Sequence, residues 1–282
     1  MQGFAHSAPA AVGSVVTCLE DTVSDVAHWC SSRRLQLNAT KTEIIWFGSS
    51  VNLSKLDPAD MRLHLDDSII EPVAAVRDLG VYLDSQLSMR QHVSLMTRTC
   101  YYQLRRLRSV RRQLGRDVTQ RLVSAFILSR LDYCNALLAE LPAATLAPLQ
   151  RVQNCAARLV LGLKPWDHIT SALIELHWLP IRQRIIFKLC ILVHKSLNNH
   201  APRYLSDLMT PISTLPSRAA LRSASTTDLD IPATRLCFGE RAFSVAGAKH
   251  WNSLPEDLRN CTDNSVFKRL LKTHLFKTAF DL

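Results

Sequence analysis

The sequence predicts an α+β chain: a small sheet with a packed helix, followed by a mainly α-helical region. Three observations carry this. Strand signals cluster between Ile44 and Asp84. From His92 onward apolar residues recur at gaps of three and four, the spacing of one helical face. Past residue 200 Pro202, Pro211 and Pro216 break that regularity.

Residues 1–14 (MQGFAHSAPAAVGS) are small and Pro/Ala-rich, which predicts a loose leader. Val15, Leu19, Val23, Val26 and Trp29/Cys30 then fall at helical spacing over Val15 to Leu35. Ile44, Ile45, Trp46 and Phe47, closed by Gly48, read as a buried strand. Met61, Leu63 and Leu65 alternate with polar residues in MRLHLDDSII, and LGVYLD (Leu79 to Asp84) reads as a third strand. Within the first of these Asp66-Asp67 reads as a polar tight turn between two short strands. The expectation is one small sheet with the first helix against it.

Val93, Met96, Cys100, Leu104, Leu107, Val110 and Leu114 form a one-face stripe over His92 to Gly115. Gly115 suits a left-handed C-cap, and Asp117 with Gln120 resembles a capping box opening a helix from Val118 to about Leu138. Further helices are predicted over Pro148 to Leu161 with Gly162 as the stop, His168 to Leu176, and Ile181 to Leu197 opened by Leu179-Pro180. Beyond a linker at residues 200–220 come an extended segment (Ala224 to Ile231), a compact piece (Phe243 to Trp251) and a closing amphipathic helix (Ser265 to Phe280).

At 282 residues the chain can bury a sizeable core, as one large domain or two small ones. Hydrophobic residues at 47% and charged ones at 21% argue against wholesale disorder. The formal net charge of +10 favours a polyanionic partner. No two of the eight cysteines lie within four residues of each other, so zinc-knuckle spacing is absent and reduced core thiols are the simpler reading. No HExxH spacing, Ser/His/Asp set or glycine-rich phosphate loop occurs, so no metal site and no cofactor is expected. Residues 1–17 hold no Lys or Arg, and no apolar run reaches the ~18 residues of a membrane span. An intracellular protein of cytoplasm or nucleus, without a membrane partner, is expected.

The clearest binding signal lies between Arg98 and Arg121, where eight arginines face one acid, Asp117. At 100° per residue Arg98, Arg105, Arg108 and Arg112 gather opposite the apolar stripe, with Tyr101 within that face and Tyr102 at its edge. Arg116 lies just beyond. Guanidinium groups grip phosphates, and neighbouring rings can stack on bases; a solvated charged face is the plainer alternative. A more dispersed set, Arg151, Arg158, Lys164, Arg182, Arg184, Lys188 and Lys195, extends such a groove or is ordinary surface.

LNATKTEIIWFG (Leu37 to Gly48) and LGVYLDSQLSMRQHV (Leu79 to Val93) resemble the stretch after the catalytic acidic pair of LINE-type, non-LTR retrotransposon reverse transcriptases. SAFILSRLDYCNALL (Ser124 to Leu138), LQRVQNCAARLVLGL (Leu149 to Leu163) and LHWLPIRQRIIFKLCILVHKSLN (Leu176 to Asn198) resemble the helical thumb and the segment C-terminal to it. APRYLSDL (Ala201 to Leu208), FGERAFSVAGAKHWNSLPEDLR (Phe238 to Arg259) and FKRLLKTHLF (Phe267 to Phe276) are similar to the tail of such reading frames. The resemblance covers roughly residues 18–282. It implies a palm remnant (15–91), a thumb-like region (92–200), a linker (201–220) and a C-terminal extension (221–282).

The same resemblance implies the chemistry. In the family the metal-binding carboxylates precede the Leu37 element; here 36 residues precede it, with Glu20, Asp21 and Asp25 among them, and Asp66-Asp67 comes after it. The implied chain is therefore truncated and non-catalytic. Lys41, between Asn38 and Glu43, matches a lysine that lies near the incoming triphosphate and can act as general acid; here it is a vestige, or a solvated turn lysine paired with Glu43. Tyr82, in the element resembling the primer-gripping hairpin, points toward nucleic acid or packs on the next helix. The implied partner is RNA or an RNA–DNA hybrid, bound without sequence preference and sensitively to salt. The alternatives are a helical protein-interaction module, recruiting a protein through the exposed palm surface, and a functionless relic of a retroelement.

Overall fold

Leu63 and Leu65 alternate with exposed His64 on β1 (Leu63–Leu65), and the first core forms around these two leucines. The computed structural model describes residues 3–6, 11–65, 68–215, 227–236 and 238–282. It divides into two units, Met1–His92 and Val93–Leu282. In the first, β1 pairs antiparallel with β2 (Ser68–Ile70), Leu63 opposite Ile70. Leu19 and Val23 of α1 (Val12–Ser32) pack on that hairpin. Glu20 joins helix to strand, accepting the His64 backbone N–H at 2.8 Å and lying 2.8 Å from its Nδ1. The backbone hydrogen bond, then the ring contact, holds the Glu20 carboxyl below the usual carboxylate range.

A second antiparallel hairpin, β3 (Ala75–Asp78) and β4 (Val81–Asp84), turns through Leu79 and Gly80 at φ 43 and 87. Two left-handed residues match the twist of the flanking strands; the Leu79 side chain stands in solvent at this turn. Sequence spacing does not reveal β3, and it overextends β4 into the turn.

The Ile44–Phe47 run corrects an expectation. Instead of a strand it makes a single parallel bridge, Ile44 to Pro72, with Phe47 exposed. Pro72 has no N–H with which to continue a ladder. The segment is held instead by scattered bonds: Val73 N–H to the Ile44 carbonyl (2.9 Å), Trp46 Nε1 to the Met61 carbonyl (3.0 Å) and Gly48 N–H to the Ser85 carbonyl (3.0 Å). Among the described residues there are thus two separate two-stranded sheets in place of one. A helical turn, α2 (Ser50–Leu53), comes next, capped by the Ser49 hydroxyl. Asp66-Asp67 lies outside the described residues.

Asp84 ends β4 by accepting the backbone N–H groups of Ser88 and Met89 at 2.8 and 2.9 Å. That loop leads directly into α3 (Arg90–Val110). Val93, Cys100, Leu104 and Leu107 are buried as their spacing predicts, but Val110 is exposed because the helix ends there, tightening into a 3-10 turn over Arg111–Gln113. Gly115 is not a left-handed C-cap: at φ −65 it precedes α4 (Arg116–Val123) as its N-cap. The capping box does not form, because the helix begins at Arg116 and places Asp117 inside its first turn. The single helix predicted to Leu138 is also broken. A wide π-type turn (Ser124–Leu128) joins α4 to α5 (Ser129–Asp132), and Cys134 at φ 51 ends the run before a 3-10 turn, Asn135–Leu138.

α6 (Ala143–Leu161) starts earlier than predicted and stops at Gly162, whose φ of 71 suits a residue without a side chain. α7 (Ile169–Glu175) and α8 (Ile181–Leu197) come after it. Two glutamines of α6 satisfy the turn between them: Gln150 Oε1 accepts the Ile181 N–H at 2.9 Å, and buried Gln153 donates to the Leu179 carbonyl at 2.8 Å. After α9 (Arg203–Ser206) come α10 (Phe243–Asn252), α11 (Glu256–Arg259) and α12 (Asn264–Phe280).

Trp251 of α10, Phe267 and Leu271 of α12, and Val193 of α8 are fully buried together. Gly247 allows the close approach of α10 to α8, since a Cβ there would lie 3.0 Å from Val193 Cγ2. His194 sits in this core, its ring stacked on Phe267 at 4.1 Å and its Nε2 2.9 Å from the Cys261 carbonyl. Where the proline-marked stretch is described it is not free of the core, since Met209 and Ile212 are buried. Leu229, the bridge partner of Pro211, is buried too; residues 216–226 lie outside the described residues.

The cysteines depart from the core-thiol expectation. Of the seven described, all unpaired, Cys100 and Cys190 are buried, and burial pushes their thiols up to about 11 and about 12. Cys18 is exposed and the other four are half-buried. Among the described residues no helix is long and apolar enough to cross a membrane.

Candidate nucleic-acid interface

α3 is amphipathic because arginines fill the positions that its apolar stripe leaves free. Arg98, Arg105, Arg106 and Arg108 are all exposed along it. Leu95, Arg98, Thr99, Tyr102 and Arg105 line one shallow groove on this face. Side chains on a helix lean toward its N-terminus. Tyr102 therefore lies over the turn that carries Arg98 and Thr99, and Arg106 reaches back to place its guanidinium 5.8 Å from the Tyr102 ring centroid. Such a cation over an aromatic face stabilises the pair modestly and limits the ring's freedom.

The two tyrosines exchange the roles that the helical wheel assigns them. Tyr101 is half-buried and hydrogen-bonded to the Cys155 thiol of α6; burial, then that thiol, raises its phenol above its ordinary value. Tyr102 is half-exposed among the arginines. The contact of Tyr101 with Cys155 of α6 decides this, a tertiary contact that spacing within one helix does not contain.

The arginines also sort into two groups. Arg98, Arg105, Arg106, Arg108 and Arg112 form no ion pair with any described carboxylate. Their charge is uncompensated. Arg112, however, falls in the 3-10 turn beyond the helix and is not part of its regular face. Arg116 is paired with Glu175 at 2.6 Å. Arg111 is structural: Nε donates to the Leu159 carbonyl at 2.9 Å, Nη2 to Val160 at 3.0 Å and Nη1 to Leu114 at 2.8 Å. From the dispersed basic set, Arg184 is bound to Asp132 and Arg158 donates to the Asp167 carbonyl, whereas Arg151 and Lys188 remain exposed.

The first unit holds the two remaining candidates. Lys41 is exposed at the end of a 3-10 turn (Ala39–Lys41) capped by the Asn38 side chain, which accepts from Thr40 N–H at 3.0 Å. It makes no ion pair with Glu43. Tyr82 is half-buried opposite Arg77, whose guanidinium is 5.8 Å from its ring centroid.

Sequence reasoning misses one polar cluster. Glu140, at φ 54, meets Lys249 Nζ at 3.3 Å and His250 Nε2 at 2.8 Å beside a small cavity rimmed by Arg182. Burial alone would raise the Glu140 carboxyl, but the Lys249 ammonium and the hydrogen-bonded His250 ring hold it low. At about 50 Å³ the cavity admits a few waters and no metabolite. Among the described residues, no three His, Cys, Asp or Glu side chains are grouped so as to hold a metal ion.

Over 90 residues the chain is 28% identical to a Drosophila melanogaster protein described as "Probable RNA-directed DNA polymerase from transposon BS". That stretch covers 32% of this chain and 10% of the length of the relative. No family model matches the chain, and no solved structure matches it. The partial likeness supports an origin related to transposon reverse transcriptases.

Proposed function

We propose that this chain is a non-catalytic remnant of a LINE-type reverse transcriptase that binds RNA or an RNA–DNA hybrid through the exposed face of α3. The observation that carries the reading is the uncompensated charge of Arg98, Arg105, Arg106 and Arg108 on α3, the first three of them beside half-exposed Tyr102. Unpaired guanidinium groups on the exposed side of one helix can grip a phosphate backbone, and their binding displaces counterions. Binding is then insensitive to sequence and steeply sensitive to salt. The partial likeness to a transposon RNA-directed DNA polymerase is in keeping with a polynucleotide partner.

Gel-shift titration with single-stranded RNA and an RNA–DNA hybrid at low and moderate salt tests the proposal, alongside a primer-extension assay. Binding that weakens with salt and with Arg105→Glu plus Arg108→Glu, without primer extension, supports it. Extension of a primer by the purified chain contradicts the non-catalytic part.

A second reading rests on the first unit, where Trp29, Val51 and Ile69 are more than half exposed. Exposed apolar residues of this size suit a protein partner. A chain that ignores nucleic acid and co-elutes with one protein favours that reading.

A further inference from the structure

We infer that the α3 groove selects unpaired nucleotides, taking a single strand in preference to a duplex or hybrid, with Tyr102 as the platform for one base. This deepens the nucleic-acid reading above and rests on it. Arg98 and Arg105 stand seven residues apart, roughly 10 Å along the axis, with Tyr102 between them. Two phosphate-gripping cations thus straddle one half-exposed aromatic ring.

The floor of the groove fits a base and not a helix groove. Leu95 and Thr99 line it, and the Thr99 hydroxyl is already turned inward to the Leu95 carbonyl at 2.9 Å. The floor is therefore short and largely aliphatic, without the amide or carboxylate groups that read base edges. Arg106 holds the ring from the C-terminal side, so the groove opens on the N-terminal side of Tyr102. A duplex keeps its base faces inside the stack and can offer this groove only phosphates. A single strand offers phosphates and a free base face together. Phosphate and base face are common to RNA and DNA, so both sugars are accepted.

The test is fluorescence anisotropy with a short labelled single-stranded RNA, the matching single-stranded DNA, and the blunt RNA–DNA hybrid of the same sequence. The single strands bind tighter than the hybrid and about equally to each other. Tyr102→Ala lowers single-strand affinity roughly tenfold and leaves hybrid affinity unchanged; Tyr102→Trp preserves the preference. Tyr102 is half-exposed, and circular dichroism verifies that each variant is folded. Equal affinity for all three ligands, or equal losses on strand and hybrid, overturns the selectivity while leaving nucleic-acid binding standing. Weakened binding to every ligand in the Arg98→Ala, Arg105→Ala variant supports the underlying reading, and no binding by the unaltered chain removes both.

Discussion

Arg111 donates from Nε to the carbonyl of Leu159 at 2.9 Å and so closes the C-terminal turn of α6. It lies in the most arginine-dense part of the chain, yet its guanidinium is spent on backbone carbonyls. Arg105, six residues earlier, has no such partner and faces solvent.

Arg111 and Arg105 should therefore separate stability from binding. Arg111→Ala strips the final α6 carbonyls of their donor, which costs about 2 kcal/mol, measured as a lower urea midpoint. Its nucleic-acid affinity at a temperature where it is folded stays near that of the unaltered chain. Arg105→Ala gives the reverse pattern.

Salt dependence provides a second check. Each phosphate contact removed lowers the slope of log affinity against log salt by roughly one. Replacing Arg98 and Arg105 together should flatten the slope by about two, whereas Arg116→Ala, which removes a residue already paired with Glu175, leaves it unchanged.

Acid should loosen the second core through His194. Burial lowers its pKa against the opposing pull of the Cys261 carbonyl, and Nδ1 has no hydrogen-bond partner to receive a new proton's donor. The unfolded chain takes up its proton near 6.5, and the folded chain only at lower pH. As pH falls through that value the unfolded state binds more protons, so stability declines by at most about 1.4 kcal/mol per pH unit for each such group. His250, and His92 in the first unit, shift in the same direction through burial. Urea titrations above and below that pH should show the decline and a shallower one for His194→Gln. A stability that rises on acidification contradicts it.

Phe267 is fully buried between His194 and Trp251, at 4.1 and 5.8 Å between ring centroids. Phe267→Ala should cost about 3–5 kcal/mol. Phe267→Leu, which keeps most of the volume, should cost much less by the same denaturation measurement.

The helices after residue 140 were legible because two local signals agree: apolar spacing and a terminator. Gly162 and Leu179-Pro180 mark boundaries that the structure keeps. The strands were legible only in part: β1 and β4 lie within the alternating MRLHL and LGVYLD segments, whereas the remainder did not show. Ile44–Phe47 has the composition of a strand, but its neighbour is Pro72, and β3 (AVRD) has no strand composition at all. The basic face of α3 could be read from the sequence; its division could not. Whether an arginine is free, paired like Arg116 or turned inward like Arg111 depends on α6 and α7, far away in the chain. The same holds for Tyr101, drawn to Cys155, and for Tyr102, left on the surface.

The most direct measurement is the anisotropy of a labelled single-stranded RNA titrated with the chain and with its Arg98→Glu, Arg105→Glu variant at low salt. Tight binding by the first, abolished in a variant that melts at the same temperature, is the predicted result. An RNA that binds both proteins alike, or neither, contradicts a polynucleotide site on α3.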